Sequence, residues 1–273
     1  MGISKPFEAF EPEQLIQEAI KRYGDSLAVA CSFGKDSIVV LHMALKYKPD
    51  IKVVFSNTLI EFPETIAYKE KIKEEWNLDL VETRPYKDMT FWKCVDKYGL
   101  PNTRSNKHKI HSPRCCYYLK EKPAIELYKK LGIRAVLTGL MKSESRNRAL
   151  LITKMDNGND EKDGIGFCGQ RYFVKSWGIW KLHPIAYWTQ DEVWNYIKQN
   201  NIPVNQVYVR WNGIYNRCGC LPCTAYLDWE KKLLISHPGL YRLLKRKQNP
   251  KQRDLEAGVS HITKTNAFAP VLL

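Results

Sequence analysis

No stretch of this sequence approaches the ~18 consecutive apolar residues that a membrane-spanning helix needs. The opening MGISKPFEAFEPEQLIQEAIKRYGD also lacks the ~7–15-residue apolar stretch of a secretory signal. The myristoylation pattern is incomplete, because Pro6 stands where Ser or Thr is required. A soluble, cytoplasmic protein with no membrane partner is expected. There is no internal repeat, no low-complexity segment and no GxxxxGK[ST] string, so repeat architectures and Walker-type phosphate loops are excluded. Acidic residues are scarce beside basic ones, 29 against 43, and the resulting charge of +14 suits a phosphate-bearing partner, whether nucleotide or nucleic acid. What is present is ordinary globular material. With 44% hydrophobic and 26% charged residues over 273 positions, the chain can bury one large domain or one domain with additions.

Short apolar runs alternate with helical stretches through the first two-thirds of the chain. Leu27 to Cys31 reads as a strand, followed by the loop Ser32 to Ser37 and a buried helix over Ile38 to Leu45. Ile51 to Phe55, Leu78 to Thr83 and Arg134 to Thr138 read as three further strands, with helices over Pro63 to Trp76 and Pro123 to Lys130. A later helix over Thr189 to Asn200 opens with Thr189 as N-cap and Asp191 and Glu192 in its first turn. This alternation predicts an α/β fold, a Rossmann-like doubly wound parallel sheet with right-handed crossovers and ligands at the strands' carboxyl ends. Residues 1–200 form the nucleotide-binding domain on this reading. Residues 201–273 form a C-terminal extension, helical and basic from Leu227 to Lys247 with a break at His237-Pro238. The polar stretch Met155 to Gly164 reads as a surface loop.

Three loops at strand ends carry candidate ligand groups. In Ser32-Phe33-Gly34-Lys35-Asp36-Ser37 the backbone N–H groups and the following helix N-terminus are suited to cradle phosphate oxygens, with hydroxyls from Ser32 and Ser37 and a charge from Lys35. Asn57, after the second strand, is a candidate hydrogen-bond partner for a base or ribose, with a helix-capping turn as the competing reading. Thr138 and Gly139 open a loop that brings Lys142, Arg146 and Arg148 toward the same crevice, where cations can clamp sulfate or polyphosphate. A solvated surface run is the alternative for such a cluster. The segment from Arg104 to Arg114, with His108 and His111, is a candidate guide for a polyanion such as DNA or another nucleic acid, or else a surface loop.

The eight cysteines fall into two groups and several singles. Cys115 and Cys116 are adjacent, and Cys220 and Cys223 have CxxC spacing. Two clustered pairs suit one metal centre, either tetrahedral zinc or an iron–sulfur cluster, while a CxxC alone is also compatible with a redox disulfide. Neighbouring side chains diverge and chelate one small ion awkwardly, which favours the separate corners of a cuboidal cluster. Cys31 and Cys94 read as buried thiols, and Cys218 as either a spare ligand or a reactive thiol.

Taken in order, SFGKDS at Ser32–Ser37, EFPET at Glu61–Thr65, RCC at Arg114–Cys116, TGLMKSESRNRA at Thr138–Ala149, KLHPIAYWTQDEVWNYI at Lys181–Ile197 and CGCLPCT at Cys218–Thr224 resemble the PAPS reductase family. That family belongs to the adenine-nucleotide alpha-hydrolase, or ATP pyrophosphatase, superfamily. The resemblance covers roughly residues 25–228. It implies a [4Fe–4S] cluster on Cys115, Cys116, Cys220 and Cys223, an adenine nucleotide on the Ser32–Ser37 loop, and Asp36 as a Mg²⁺ partner. Reductases of the family use a cysteine in a C-terminal tail, whereas no cysteine follows Cys223 here.

The leading expectation is therefore an ATP pyrophosphatase-type enzyme acting at the alpha phosphate in a sulfur-transfer pathway, such as DNA phosphorothioation. Lys35, Asp36, Arg146 and Arg148 would carry its chemistry. The alternative is a sulfonucleotide reductase that releases sulfite from APS or PAPS with a thioredoxin-like or other sulfur-handling partner. A non-catalytic nucleic-acid-binding subunit is a third reading.

Overall fold

The computed structural model describes residues 9–101, 113–158, 160–226 and 228–248. The basic segment from Arg104 lies outside the described residues up to position 112, as do Leu227 and everything after Gln248. Spatial contacts divide the chain into two units. Met1–Phe91 with Cys115–Leu221 makes the first, and Trp92–Arg114 with Pro222–Leu273 the second.

In the first unit the strands are β1 (Leu27–Ala30), β2 (Lys52–Ser56), β3 (Leu80–Thr83), β4 (Ala135–Thr138), β5 (Glu161–Lys162), β6 (Ile165–Gly166), β7 (Arg171–Val174) and β8 (Ile179–Leu182). Six of them form one sheet in the order β3-β2-β1-β4-β8-β7, while β5 and β6 pair separately. The pairs β1·β2, β1·β4, β2·β3 and β4·β8 are parallel, and β7 closes one edge antiparallel to β8. A doubly wound α/β fold is thus what the chain adopts, with two strands more in its main sheet than the apolar runs suggest. The extra pair is a hairpin turned at Gly178, whose φ of +71° suits a residue without Cβ. Its Arg171-Tyr-Phe-Val sequence mixes charge with aromatics and so lacks the plain apolar run of a central strand.

Strand alternation sorts side chains to two faces. Leu27, Val29, Val53, Phe55, Leu137, Trp180 and Leu182 join one core with α1 (Pro12–Tyr23), α2 (Lys35–Tyr47) and residues of α3 (Pro63–Glu75). Ala28, Val54, Val136 and Ile179 face the other way, against Ala124 and Tyr128. Ahead of them in the chain lie α4 (Phe91–Tyr98) and the short α5 (Arg114–Cys116), which runs through a π turn over Tyr117–Glu121 into α6 (Lys122–Lys130), the helix that carries Ala124 and Tyr128.

Ser145, as N-cap, accepts the Arg148 N–H and starts α7 (Arg146–Asp156), so part of the expected loop is helical. A reciprocal capping box starts α8 (Gln190–Gln199), with the Thr189 hydroxyl accepting the Glu192 N–H at 3.3 Å and the Glu192 carboxylate accepting the Thr189 N–H at 2.6 Å. The second unit contains α9 (Trp229–Ser236) and α10 (Pro238–Gln248), with Trp229, Leu233 and Leu244 buried. The break between these helices falls at His237-Pro238, where the sequence puts it. Among the described residues no helix is long and apolar enough to cross a membrane.

Two contacts fix the carboxyl end of β4. A Cβ built on Gly139 would lie 2.5 Å from the Asp36 carbonyl carbon and 2.6 Å from the Ser37 nitrogen, so the backbone of this loop rests directly on the first turn of α2. Thr138 Oγ1 and His183 Nδ1 are 2.6 Å apart, which ties the end of β4 to the end of β8. Burial lowers the His183 pKa to about 3, reinforced by the charges of Lys181 and Arg148.

Gly139→Ala is expected to destabilise the fold by about 1–3 kcal/mol in urea denaturation, because backbone rather than a flexible side chain must move. His183 is neutral when folded, whereas the unfolded chain binds its proton below about pH 6.5. Stability should therefore fall as pH drops from about 6.5 toward about 3. Denaturant titrations across that window should show the acid slope reduced in His183→Gln, and an unchanged slope would contradict the assignment.

Candidate active site

The turn between β1 and α2 lies where the chain, after building outward through β2 and β3, returns to the other side as β4. Such a switch point leaves a crevice at the strands' carboxyl ends. Gly34 is the N-cap of α2 in extended conformation, and its carbonyl accepts the Ile38 N–H at 2.9 Å. Ser37 Oγ donates to the Gly34 carbonyl at 3.0 Å and accepts the Ser32 N–H at 3.2 Å, so this hydroxyl staples the turn closed. The Ser32 hydroxyl lies 3.2 Å from Ser37 Oγ on the exposed side. Phe33 adopts φ +54°, and its fully buried ring packs edge-on against Phe55 at 5.6 Å and Tyr68 at 6.5 Å. Its contribution to a ligand is thereby limited to backbone. Lys35 is buried and pairs with Asp36 at 2.6 Å, so the two candidate catalytic charges neutralise each other.

Three residues distant in sequence hold this turn in place, and two of them, Asn205 and Tyr208, belong to no local motif. Asn205, buried, donates from Nδ2 to the Phe33 carbonyl and to Thr65 Oγ1, both at 3.1 Å. The Tyr208 hydroxyl accepts the Lys35 N–H at 3.0 Å and the Cys218 N–H at 3.4 Å, and it hydrogen-bonds the Cys218 sulfur. Cys218 Sγ lies 3.7 Å from the Ser32 carbonyl. A Cβ on Gly34 would meet that sulfur at 2.7 Å, so a side chain here would require the thiol to move. Burial raises the Cys218 thiol from its ordinary value, and the Tyr208 hydroxyl opposes the shift. Each of these contacts joins positions more than 170 residues apart or belongs to such a group, so no spacing rule reveals them.

The other candidate ligand residues meet different fates. Asn57 donates to Glu82 at 2.9 Å and accepts the Leu59 N–H at 3.0 Å, which engages its amide in holding the β2 loop. Glu82 in turn pairs with the buried Lys69 beneath Phe55. Arg148 pairs with Glu144, which also lies 3.8 Å from Arg217, whereas Arg146 is exposed on the first turn of α7. Thr138 and Gly139 have the packing roles given above.

Among the cysteines, Cys31 is buried and its thiol is pushed up to about 12 by burial, in keeping with an inert core group. Cys116 behaves oppositely. A hydrogen bond from Cys115, with the charges of Lys120 and Arg217, lowers its thiol to about 7 against the penalty of burial. Cys220 pairs in a β-bridge with Glu61, and its Sγ lies 3.6 Å from Thr58 Oγ1, while the Leu221 N–H donates to the Ile60 carbonyl at 2.8 Å. Cys218 and Cys220 therefore address different neighbours, the turn between β1 and α2 and the β2 loop. Cys223 belongs to the second unit. Among the described residues no three histidine, cysteine or acidic groups are gathered as a single metal ion would require. Soft, half-buried thiols with cations beside them nevertheless have the chemistry of a thiolate-bound iron–sulfur centre.

A cavity of about 170 Å³ opens at the ends of β1 and β2, lined by Ser32, Ser56, Glu61, Thr65, Lys120 and Gly219 among others. It brings the turn between β1 and α2 together with the segments that carry Cys116 and Cys220. A larger cavity of about 360 Å³ lies under α1, lined mainly by apolar groups such as Leu15, Ala19, Trp180 and Leu182. None of the carboxyl-end loops contributes to it, so the smaller cavity is the candidate site.

The phosphoadenosine phosphosulfate reductase domain, as a family model, matches residues 26–226. The adenosine 5'-phosphosulfate reductase of Staphylococcus haemolyticus (strain JCSC1435) is 31% identical over 212 residues, covering 78% of this chain and 76% of that protein. The enzyme of the same name from Salinibacter ruber (strain DSM 13855 / M31) is 28% identical over 227 residues, covering 83% and 79%. Among solved structures, the phosphoadenylyl-sulfate reductase of Candida auris in its phosphate complex superposes with a TM-score of 0.52 at 23% identity, over 73% of this chain and 84% of that one, a likeness of fold. The matched span takes in the whole six-stranded sheet, the crevice turn and both cysteine segments, and the chain belongs to the phosphoadenosine phosphosulfate reductase domain family.

Proposed function

We propose that this protein is a sulfonucleotide reductase, which releases sulfite and an adenosine phosphate from APS or PAPS with electrons from a dithiol carrier. The observation that supports it is the convergence on one cavity of the phosphate turn, Lys120 from the segment after Cys116, and Gly219 beside Cys220. The curated relatives, both adenosine 5'-phosphosulfate reductases, favour this reading over the ATP cleavage suggested by the Gly-Lys-Asp-Ser ending of the turn. In this reading the N-terminus of α2 and the Ser32–Gly34 backbone receive the anionic end of the nucleotide. Asp36 serves as the partner of Lys35 rather than as a Mg²⁺ ligand. Arg148, Arg146 and Lys120 supply positive potential toward a doubly anionic substrate.

A [4Fe–4S] cluster on Cys115, Cys116, Cys220 and Cys223 is part of the proposal. The divergent side chains of adjacent cysteines suit separate iron corners, and Lys120 and Arg217 offset thiolate charge beside Cys116. When bound, the cluster would supply fixed charge near the crevice. The chain's own share is to anchor Cys220 through Thr58 and Glu61 and to hold Cys115 and Cys116 on the turn that leads into α6.

Protein purified without oxygen should release sulfite from APS or PAPS when supplied with a dithiol reductant, and should release no pyrophosphate from ATP with Mg²⁺. Pyrophosphate release without sulfite from either sulfonucleotide would reverse the assignment. The same preparation should be brown and contain roughly four irons per chain. Serine at Cys220 or Cys223 should remove the iron, whereas serine at Cys94 or Cys168 should leave it. Stoichiometric zinc without iron would show that the cluster assignment is wrong.

A further inference from the structure

The cavity of about 360 Å³ under α1 has no part in the crevice, and its walls follow from two periodicities. Leu15, Ala19 and Tyr23 recur at i, i+4 and i+8 on one face of α1, and Trp180 and Leu182, at i and i+2 of β8, bound the same space from the sheet. All five are buried. Ala19, the smallest of them, stands midway along the helix face, and its methyl leaves room that a longer side chain would fill. The volume falls within the roughly 300–1,000 Å³ usual for small-molecule sites, which are likewise lined by apolar groups with a few polar ones. Here the polar groups are mostly of one sign. Lys21, Arg22 and Arg171 line the cavity against one carboxylate, Glu18. Arg22 lies over the Tyr23 ring at 5.9 Å and Arg134 over the same ring at 6.0 Å, so a fourth cation borders the group. Among the described residues no carboxylate pairs with Lys21, Arg22 or Arg134. The guanidinium of Arg171 lies 3.9 Å from Glu18 and over the Phe10 ring at 4.8 Å. Its side chain donates no hydrogen bond among the described residues, and its Nε is buried without an acceptor. A group with five N–H donors is thus left short of acceptors, which costs free energy. Leu182, its partner across the β7–β8 register, sets apolar surface beside that unmet demand.

We propose that this cavity is a second ligand site, for a small organic acid whose apolar body lies against Ala19, Trp180 and Leu182 and whose carboxylate meets Arg171. Complementarity of two kinds selects that chemistry. A neutral hydrocarbon leaves the guanidinium without an acceptor, and inorganic sulfate or phosphate leaves the apolar walls in water. An acid with an apolar body answers both demands, its carboxylate accepting from the planar guanidinium while its carbon skeleton covers the indole and the leucine. Glu18 offers no obstacle, because it is exposed and its separation of 3.9 Å from Arg171 is too long for a hydrogen bond that would have to break. No crevice residue takes part, so the inference holds whichever nucleotide the crevice receives.

The test is isothermal titration calorimetry of the full chain with 2-naphthoate. The expected result is one site per chain with a Kd below about 1 mM, and binding at least about tenfold weaker for 2-naphthamide, which has a similar shape without the charge. Arg171→Gln should weaken the acid by about tenfold or more, and Ala19→Phe, which fills the cavity, should abolish binding, each with the circular dichroism of the parent. Should Ala19→Phe not fold, Arg171→Gln carries the decision. The absence of binding by 2-naphthoate up to about 5 mM overturns the inference, whether a second copy or an end of this chain covers the cavity instead. A naphthamide that binds within about twofold of the acid overturns it too, since the cations then select nothing. An Ala19→Phe or Arg171→Gln protein that folds and binds as the parent does places the acid elsewhere, with the same result. Sulfite release from APS or PAPS is measured without the acid, so the reductase reading stands or falls separately.

Discussion

The turn from β1 into α2 leaves no room for a side chain at either of the two glycines that touch it, and the rest of the site is arranged around that tightness. A Cβ on Gly34 would strike the Cys218 sulfur, and one on Gly139 would strike the backbone of Asp36 and Ser37. This turn is consequently sandwiched between the loop that ends β4 and the segment that carries the last cysteines of the first unit. With the Ser37 hydroxyl closing it from within and Asn205 and Tyr208 gripping it from outside, its backbone is held before any ligand arrives. Preorganisation of this kind lowers the ordering cost of binding and fixes where a reacting group must sit.

The same packing explains which parts of the structure could be read from the sequence. The strands β1, β2 and β4, the helices between them and the Thr189 cap follow from contiguous signals, an apolar run or a cap residue at a fixed offset, and the structure has them within a few residues of the expected limits. The β7–β8 pair was less visible, because an edge strand with one solvated side does not need an unbroken apolar run. Within the site, the turn between β1 and α2 is legible as a strand–loop–helix string. Phe33 shows the limit of such a string, since a left-handed φ sends its ring into the core and leaves only its backbone toward the crevice. Tyr208 and Asn205 could not be found this way. Each grips the turn through a backbone group more than 170 positions away, and nothing in its own neighbourhood distinguishes it from an ordinary loop residue.

Polar residues at strand ends illustrate a second limit. Asn57 and Arg148 have the chemistry of ligand contacts, and in this protein each is engaged by a carboxylate, Glu82 for the first and Glu144 for the second. The network from Lys69 through Glu82 to Asn57 steadies the loop whose next residues, Thr58 and Glu61, hold Cys220. Side chains that look like binding groups in a one-dimensional string thus serve, one layer back, to aim the segments that border the cavity.

Because the turn is completed by partners that follow it by 172 to 186 positions, its competence is acquired late in the life of the chain. A nascent polypeptide emerging from the ribosome can pair β1 with β2 and β3 early. It has no Tyr208 hydroxyl or Asn205 amide to grip the turn until nearly the whole first unit has been synthesised. Contacts of such high sequence separation are slow to form, since loop closure is opposed by entropy before packing rewards it. The immature protein therefore passes through a period in which its sheet exists without a finished crevice, and a firmly held turn becomes a property of the completed first unit alone.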